Sequence, residues 1–135
     1  MRALLTFLTV VSFFFMSVPA QAADKKESSG AEFVKLDPLI LPIIDTNGVQ
    51  QIVSLVVAIE VSGVNNAEKV KTMSPKLTDA YIQDMYGVLN EQVALKGGVI
   101  QVSVIKERLM HVTEDIMGED IVSDVLLQVV QQRPI

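Results

Sequence analysis

Between residues 49 and 61 the apolar positions fall mostly on one parity: Val49, Val53, Leu55, Val57, Ile59 and Val61, against Gln50, Ser54, Glu60 and Ser62 on the other. Period two with polar residues on the second parity predicts a strand with one face in the core. Ile52, Val56 and Ala58 break the alternation, so partial cover is expected on the second face as well. The closing stretch, residues 120–135, is also strand-like, but its apolar residues take both parities. Ile121, Val125, Leu127 and Val129 stand on one, and Val122, Leu126 and Val130 on the other. That pattern predicts a final strand buried on both faces, pairing with residues 49–61.

Ahead of the first of these strands, Phe33, Leu36, Leu39, Ile40, Leu41, Ile43 and Ile44 form an apolar stretch carrying Pro38 and Pro42. Prolines confine such a stretch to an edge strand or a broken one. Asp45-Thr46-Asn47-Gly48 follows as turn chemistry, with Asn47-Gly48 suited to a tight hairpin.

After the long strand the spacing changes to threes and fours. Asn66 is placed to cap a short helical turn over residues 67–72, and Ser74-Pro75 predicts a second start, with proline at the first helical position. Leu77, Ala80, Tyr81, Met85, Val88 and Leu89 then make one apolar stripe, with Lys76, Asp79, Gln83, Asp84 and Asn90 around it. Gly97-Gly98 is expected to link this helix to the next. Residues 99–117 begin ambiguously but settle into a stripe of Val102, Ile105, Leu109, Val112 and Ile116, stopped by Gly118. The expected fold is α+β: a small, mostly antiparallel sheet with two helices packed on one face, in the order β-β-α-α-β.

Composition adds a compartment. Arg2 precedes an uncharged apolar run over residues 3–18, followed by Pro19 and Ala20-Gln21-Ala22. This is the layout of a signal peptide over residues 1–22 with a small-x-small cleavage site at Ala20 and Ala22. The same run approaches the length of an uncleaved membrane anchor, and the A-x-A pattern favours cleavage. Residues 23–31 are small and charged, as in a flexible linker, which leaves residues 32–135 as the folded domain. With 16 acids against 11 Lys and Arg, the chain has a net charge of −5 and lacks a basic stripe, so nucleic acid is not an expected partner. It contains no cysteine, so no disulfide can staple it in an oxidising compartment.

Catalytic chemistry finds little support. His111 is the sole histidine, is expected in mid-helix, and has no G-x-S-x-G setting around Ser54, Ser62, Ser74, Ser103 or Ser123. Glu114-Asp115 and Glu119-Asp120 lack calcium-loop spacing and read as solvated charges. Gly97-Gly98 lacks the spacing of either phosphate-binding loop. Met73, Met85, Met110 and Met117 read as core filler. No enzyme activity, cofactor or metal is expected.

Three ordered stretches carry a resemblance. Phe33-Val34-Lys35-Leu36-Asp37-Pro38, Met73-Ser74-Pro75-Lys76-Leu77-Thr78-Asp79-Ala80-Tyr81-Ile82 and Val122-Ser123-Asp124-Val125-Leu126-Leu127-Gln128-Val129-Val130-Gln131-Gln132 resemble, in that order, signatures of the periplasmic domain of the FliL family of flagellar basal-body-associated proteins. The resemblance implies a stomatin-like α+β fold, a periplasmic location at or near the inner membrane, and assembly as a homo-oligomeric ring around flagellar stator proteins in support of torque and swimming. Membrane association through the N-terminal segment would fit that setting. The alternative is a stomatin-like periplasmic scaffold or adaptor for another cell-envelope complex.

Overall fold

The structure, a computed structural model, describes residues 30–135; the expected signal peptide with Ala20 and Ala22, and the expected linker as far as Ser29, lie outside the described residues. The fold is α+β, a mostly antiparallel sheet with two helices, as the periodicities predict. Its elements run β1 (Ala31–Lys35), β2 (Leu39–Asp45), β3 (Gly48–Ser62), α1 (Val64–Asn90), β4 (Leu95–Lys96), β5 (Val99–Ile100), α2 (Val102–Met117) and β6 (Val122–Pro134).

The strand everything else leans on is β3. It pairs antiparallel with β1 through Ala31↔Ser62 to Lys35↔Ala58, and with β2 through Leu39↔Leu55 to Asp45↔Gly48. Its other side pairs with β6 from Gln51↔Pro134 to Val61↔Val122. β1 and β2 are thus one edge strand interrupted at residues 36–38, where three residues stand opposite Val56 and Val57. One extra residue makes a bulge, and Pro38 sits in it, where no ladder N–H is required. The remaining proline of this edge, Pro42, lies opposite Ile52.

The hairpin into β3 has Thr46 and Asn47 at its tip. Asp45 Oδ1 accepts the Asn47 N–H at 2.6 Å, and Gly48 takes a positive φ of 110°. The two-residue turn pairs Asp45 with Gly48 and Ile44 with Val49, and the register shift between Ile43 and Ile44 leaves Gln50 as the inserted residue of a bulge.

The closing strand departs from expectation. β6 is the opposite edge of the sheet, not a strand buried on both faces: only Val122 and Val125 are buried, and Val129 is 45% exposed. The doubly apolar pattern arises from irregularity in its pairing. The register shifts at Val56/Val57, where Leu127 and Val129 take consecutive partners, so Gln128 is an inserted residue and apolar positions change parity across it.

Both helices cover the face built from Val53, Leu55, Val57, Ile59 and Val61, all fully buried. α1 is a single helix of 27 residues, not a short turn followed by a fresh start at Ser74. Its buried stripe, Ala67, Val70, Leu77, Tyr81, Met85, Val88 and Leu89, runs through Pro75 without changing face. Continuous burial against the sheet outweighs the ~3 kcal/mol that an interior proline costs. The helix opens at Gly63, at φ 78°, without a side-chain cap; Asn66 instead donates its amide to the Ser62 carbonyl at 2.9 Å.

Gly97 and Gly98 do not simply link helices. Both have positive φ, 59° and 78°, and turn the miniature hairpin in which Leu95 pairs Ile100 and Lys96 pairs Val99. Two positive-φ residues are the signature of a type I′ turn. In α2 the buried stripe is Ile105, Leu109 and Thr113, while Val102 is 48% exposed. Gly118, with φ 92°, stops the helix and returns its N–H to the Glu114 carbonyl at 2.8 Å.

Candidate interaction groove

Two of the three sequence stretches that stand out by their motifs meet in space. The bulge between β1 and β2 pushes Lys35, Leu36 and Asp37 toward α1, where Ser74, Pro75, Thr78, Asp79 and Ile82 face them across an open groove of roughly 490 Å³. The helix side presents successive turns, since residues three and four apart share a face. Pro75 has no N–H for the Lys71 carbonyl, so the helix ladder is interrupted beside the groove. Neighbouring hydroxyls reinforce the ladder there: Thr72 donates to the Glu68 carbonyl at 2.9 Å and Ser74 to the Val70 carbonyl at 3.0 Å.

The lining combines an ammonium, two carboxylates and a threonine hydroxyl with the apolar Leu36, Pro75 and Ile82. Asp79 also accepts a hydrogen bond from Gln83 at 2.9 Å. Mixed charge around a short apolar floor suits an extended polypeptide segment, which offers backbone donors and acceptors along with side chains. It contains neither a histidine nor a cysteine, and no three carboxylates converge. Among the described residues no group of three or more His, Cys, Asp or Glu could hold a metal ion.

The third motif lies in β6, and its acid has a definite job. Asp124 Oδ2 accepts a hydrogen bond from Lys106 of α2 at 2.9 Å, while Oδ1 accepts the Val125 N–H at 2.8 Å. Lys106 holds the Asp124 carboxyl below its usual pKa, partial burial opposes that shift, and the Val125 amide adds to it. Lys106 therefore ties α2 to the last strand. Similarly, Asp84 of α1 receives Nε of Arg108 at 3.1 Å together with a second, close contact from Nη2, forming a two-pronged bridge between the helices. Asn90, expected on the surface, fastens the end of α1 to β2 by accepting the Ile44 N–H at 2.8 Å.

The residues tested for catalysis stay apart. His111 has a 69% exposed side chain and, among the described residues, pairs with Asp115, at 2.9 Å, one turn along the same helix. Ser103 lies eight residues back, about 12 Å along the axis, beyond hydrogen-bonding reach. Ser62 and Ser123 face each other at 3.5 Å without a base. Glu119 and Asp120 are exposed beyond the end of α2. Met85 is fully buried, and Met73, Met110 and Met117 pack against the core.

The groove was not legible as a site in the chain. Asp37 and Asp79 are 42 residues apart, and no periodicity says that a bulge on an edge strand will face the middle of a helix. The available signal was the interior proline read together with the broken apolar run before Asp45.

No protein-family model matches this chain. No curated protein matches it either. None of the helices among the described residues is long and apolar enough to cross a membrane.

Proposed function

We propose that this chain is a non-enzymatic periplasmic component of the bacterial flagellar motor, acting at or near the inner membrane by associating with the stator. The observation that carries the reading is the convergence of motif residues: the first two FliL-like signatures, around Lys35-Leu36-Asp37 and Ser74-Pro75-Thr78-Asp79, line one groove of mixed charge. A stretch used only for folding has no need to be open to solvent. The third signature, in β6, closes the sheet on the other side of β3. Within this reading the groove receives an extended segment of a stator protein, and the chain assembles as a ring of identical subunits around the stator.

The test is motility. Deleting the gene lowers swimming speed while growth continues, and site-specific cross-linking from position 79 in cells captures a stator protein. Unchanged swimming in every medium sinks the proposal. Cross-links to an unrelated envelope transporter or protease, with normal swimming, establish the stomatin-like adaptor reading in its place.

A further inference from the structure

The hydrogen bonds at the ends of each ladder fix which backbone groups point out of the sheet's two edges. At either end of the β1–β3 pairing, Gly63 donates to the Gly30 carbonyl at 3.0 Å and Leu36 to the Val57 carbonyl at 2.9 Å. In an antiparallel pair the bonded positions alternate, so Glu32 and Val34 bond to β3 while the N–H and C=O groups of Phe33 and Lys35 point outward. Exposed edges are ordinarily blunted. On β2 that is done by Asn90, which accepts the Ile44 N–H at 2.8 Å and donates to the Pro42 carbonyl at 3.4 Å, and by Pro42, which has no N–H. On β6, Val125 stands outward opposite Ile59, and its N–H is held by Asp124 Oδ1 at 2.8 Å. Among the described residues, no hydrogen bond engages the outward groups of Phe33 and Lys35. The open part of the edge runs up to Lys35, where the groove begins.

We propose that β1 takes an added strand: an extended segment of a partner protein pairs antiparallel with Phe33 and Lys35 and places a basic side chain in the groove between Asp37 and Asp79. Main-chain bonds supply the affinity in such an addition, and alternate side chains supply the choice. Residues directly opposite one another share a face, so the segment's residue opposite Leu36 enters the groove. Its charge is set by the walls. Asp37 on the bulge and Asp79 on α1 stand against the single ammonium of Lys35, and neither carboxylate is in an ion pair among the described residues. Asp79 engages Gln83 through Oδ2 alone. The net charge of −5 favours approach of a base as well. Three places further along the segment, an aromatic or β-branched residue comes opposite the 58% exposed Phe33. The β6 edge of a second copy is a poor substitute, because Asp124 already occupies the Val125 N–H. The inference rests on the preceding reading in one respect, that a polypeptide segment occupies the groove, and leaves open which protein supplies it.

A displayed library of random nine-residue peptides, selected on the chain in the form recovered from cells, tests it. The expected winners carry lysine or arginine, with an aromatic or β-branched residue three places on. In a synthetic copy of a winner, N-methylation of the first or third residue after the base raises the dissociation constant about tenfold or more, while methylation of the base or of the second residue changes it little. Bound peptide slows hydrogen exchange at Phe33 and Lys35, which exchange faster than Val34 in the free chain. Phe33→Pro removes one outward N–H from an edge that already accommodates Pro42, and it weakens binding about tenfold, whereas Phe33→Ala keeps the backbone bonds and weakens it less. Circular dichroism reports whether both fold. Asp79→Lys weakens binding of the basic peptide, and glutamate in place of the base restores it. No enriched peptide, winners without a base, N-methylation without alternation, or equal binding by Phe33→Pro overturns the inference, as does a homodimer joined at β1 that excludes the peptide. Normal swimming after gene deletion, with the peptide results as expected, ends the stator reading and leaves the added strand standing; slowed swimming with no peptide bound at β1 does the reverse.

Discussion

The hydroxyl of Tyr81 donates to Oγ1 of Thr113 in the seam between the two helices, both residues being fully buried. The direction follows from the next bond, because Thr113 spends its own hydrogen on the Leu109 carbonyl at 2.6 Å. Removing either partner therefore has unequal effects. Tyr81→Phe leaves Thr113 with its carbonyl partner and costs about 1 kcal/mol. Thr113→Val strands a buried phenol and costs about 2 kcal/mol. The double variant loses less than the sum of the two. Urea unfolding of the four proteins measures the coupling.

The same pair sets an alkaline limit. Burial pushes the Tyr81 phenol up to about 12 from its ordinary 10. A raised folded pKa means the contribution is complete below pH ~10 and is lost as the unfolded chain ionises first, between pH ~10 and ~12. Wild-type stability should fall across that window by up to about 2–3 kcal/mol more than that of Tyr81→Phe. Parallel slopes in the two proteins would show that the phenol ionises as easily in the folded state.

Much of this architecture is written in the chain, and the misses have physical causes. The odd-parity stripe of β3 gave its core face, and Gly118 and the Asp45–Gly48 turn marked boundaries through chemistry that acts within a few residues. What could not be read were facts set by distant packing. Pro75 looks like a helix start, yet Ala67 and Val70 extend the same stripe upstream, and the sheet beneath holds the helix continuous. Apolar residues on both parities of β6 suggest double cover, yet a bulge and an open sheet face produce the same letters. The groove needs both ends of this contrast, since one wall comes from the misread proline and the other from the edge that Pro38 and Pro42 correctly marked as broken, and only distant packing brings them together.

Asp124 provides an acid-side test. Its carboxyl is held below the ordinary carboxylate range by Lys106, so its contribution is present above the unfolded value near pH ~3.9 and disappears as pH falls through the folded one. Both side chains are more than one-third exposed, which limits the contribution to less than about 1 kcal/mol. Asp124→Asn should be slightly less stable than wild type at neutral pH, and the two should converge in acid. Added salt should narrow the neutral-pH gap as well.

Gln132 pins the small hairpin to the last strand. Its Oε1 accepts the Ile100 N–H at 3.3 Å and its Nε2 donates to the Gly98 carbonyl at 2.5 Å, with a further close contact to Gln51 Oε1. The β4–β5 pair has only two residues per strand, too few to persist without support. Gln132→Ala should therefore speed hydrogen exchange at Ile100 while leaving exchange in the β3 ladder nearly unchanged. Equal protection of Ile100 in both proteins would assign the hairpin's order to its turn alone.

Pro75 separates stability from binding. Placing alanine there restores an N–H for the Lys71 carbonyl and removes the ring from the helix interior, so Pro75→Ala should stabilise the protein by about 1–3 kcal/mol. The same change removes the apolar wall that Pro75 presents to the groove opposite Leu36 and Asp37. A more stable protein that cross-links less to the stator and supports slower swimming is the expected outcome, the trade-off found where a binding site retains a locally unfavourable residue. Thermal melts and swimming speed, measured on the same variant, decide it. Higher stability with undiminished swimming would mean that the groove does not carry the contact, and that Pro75 serves only the shape of the helix.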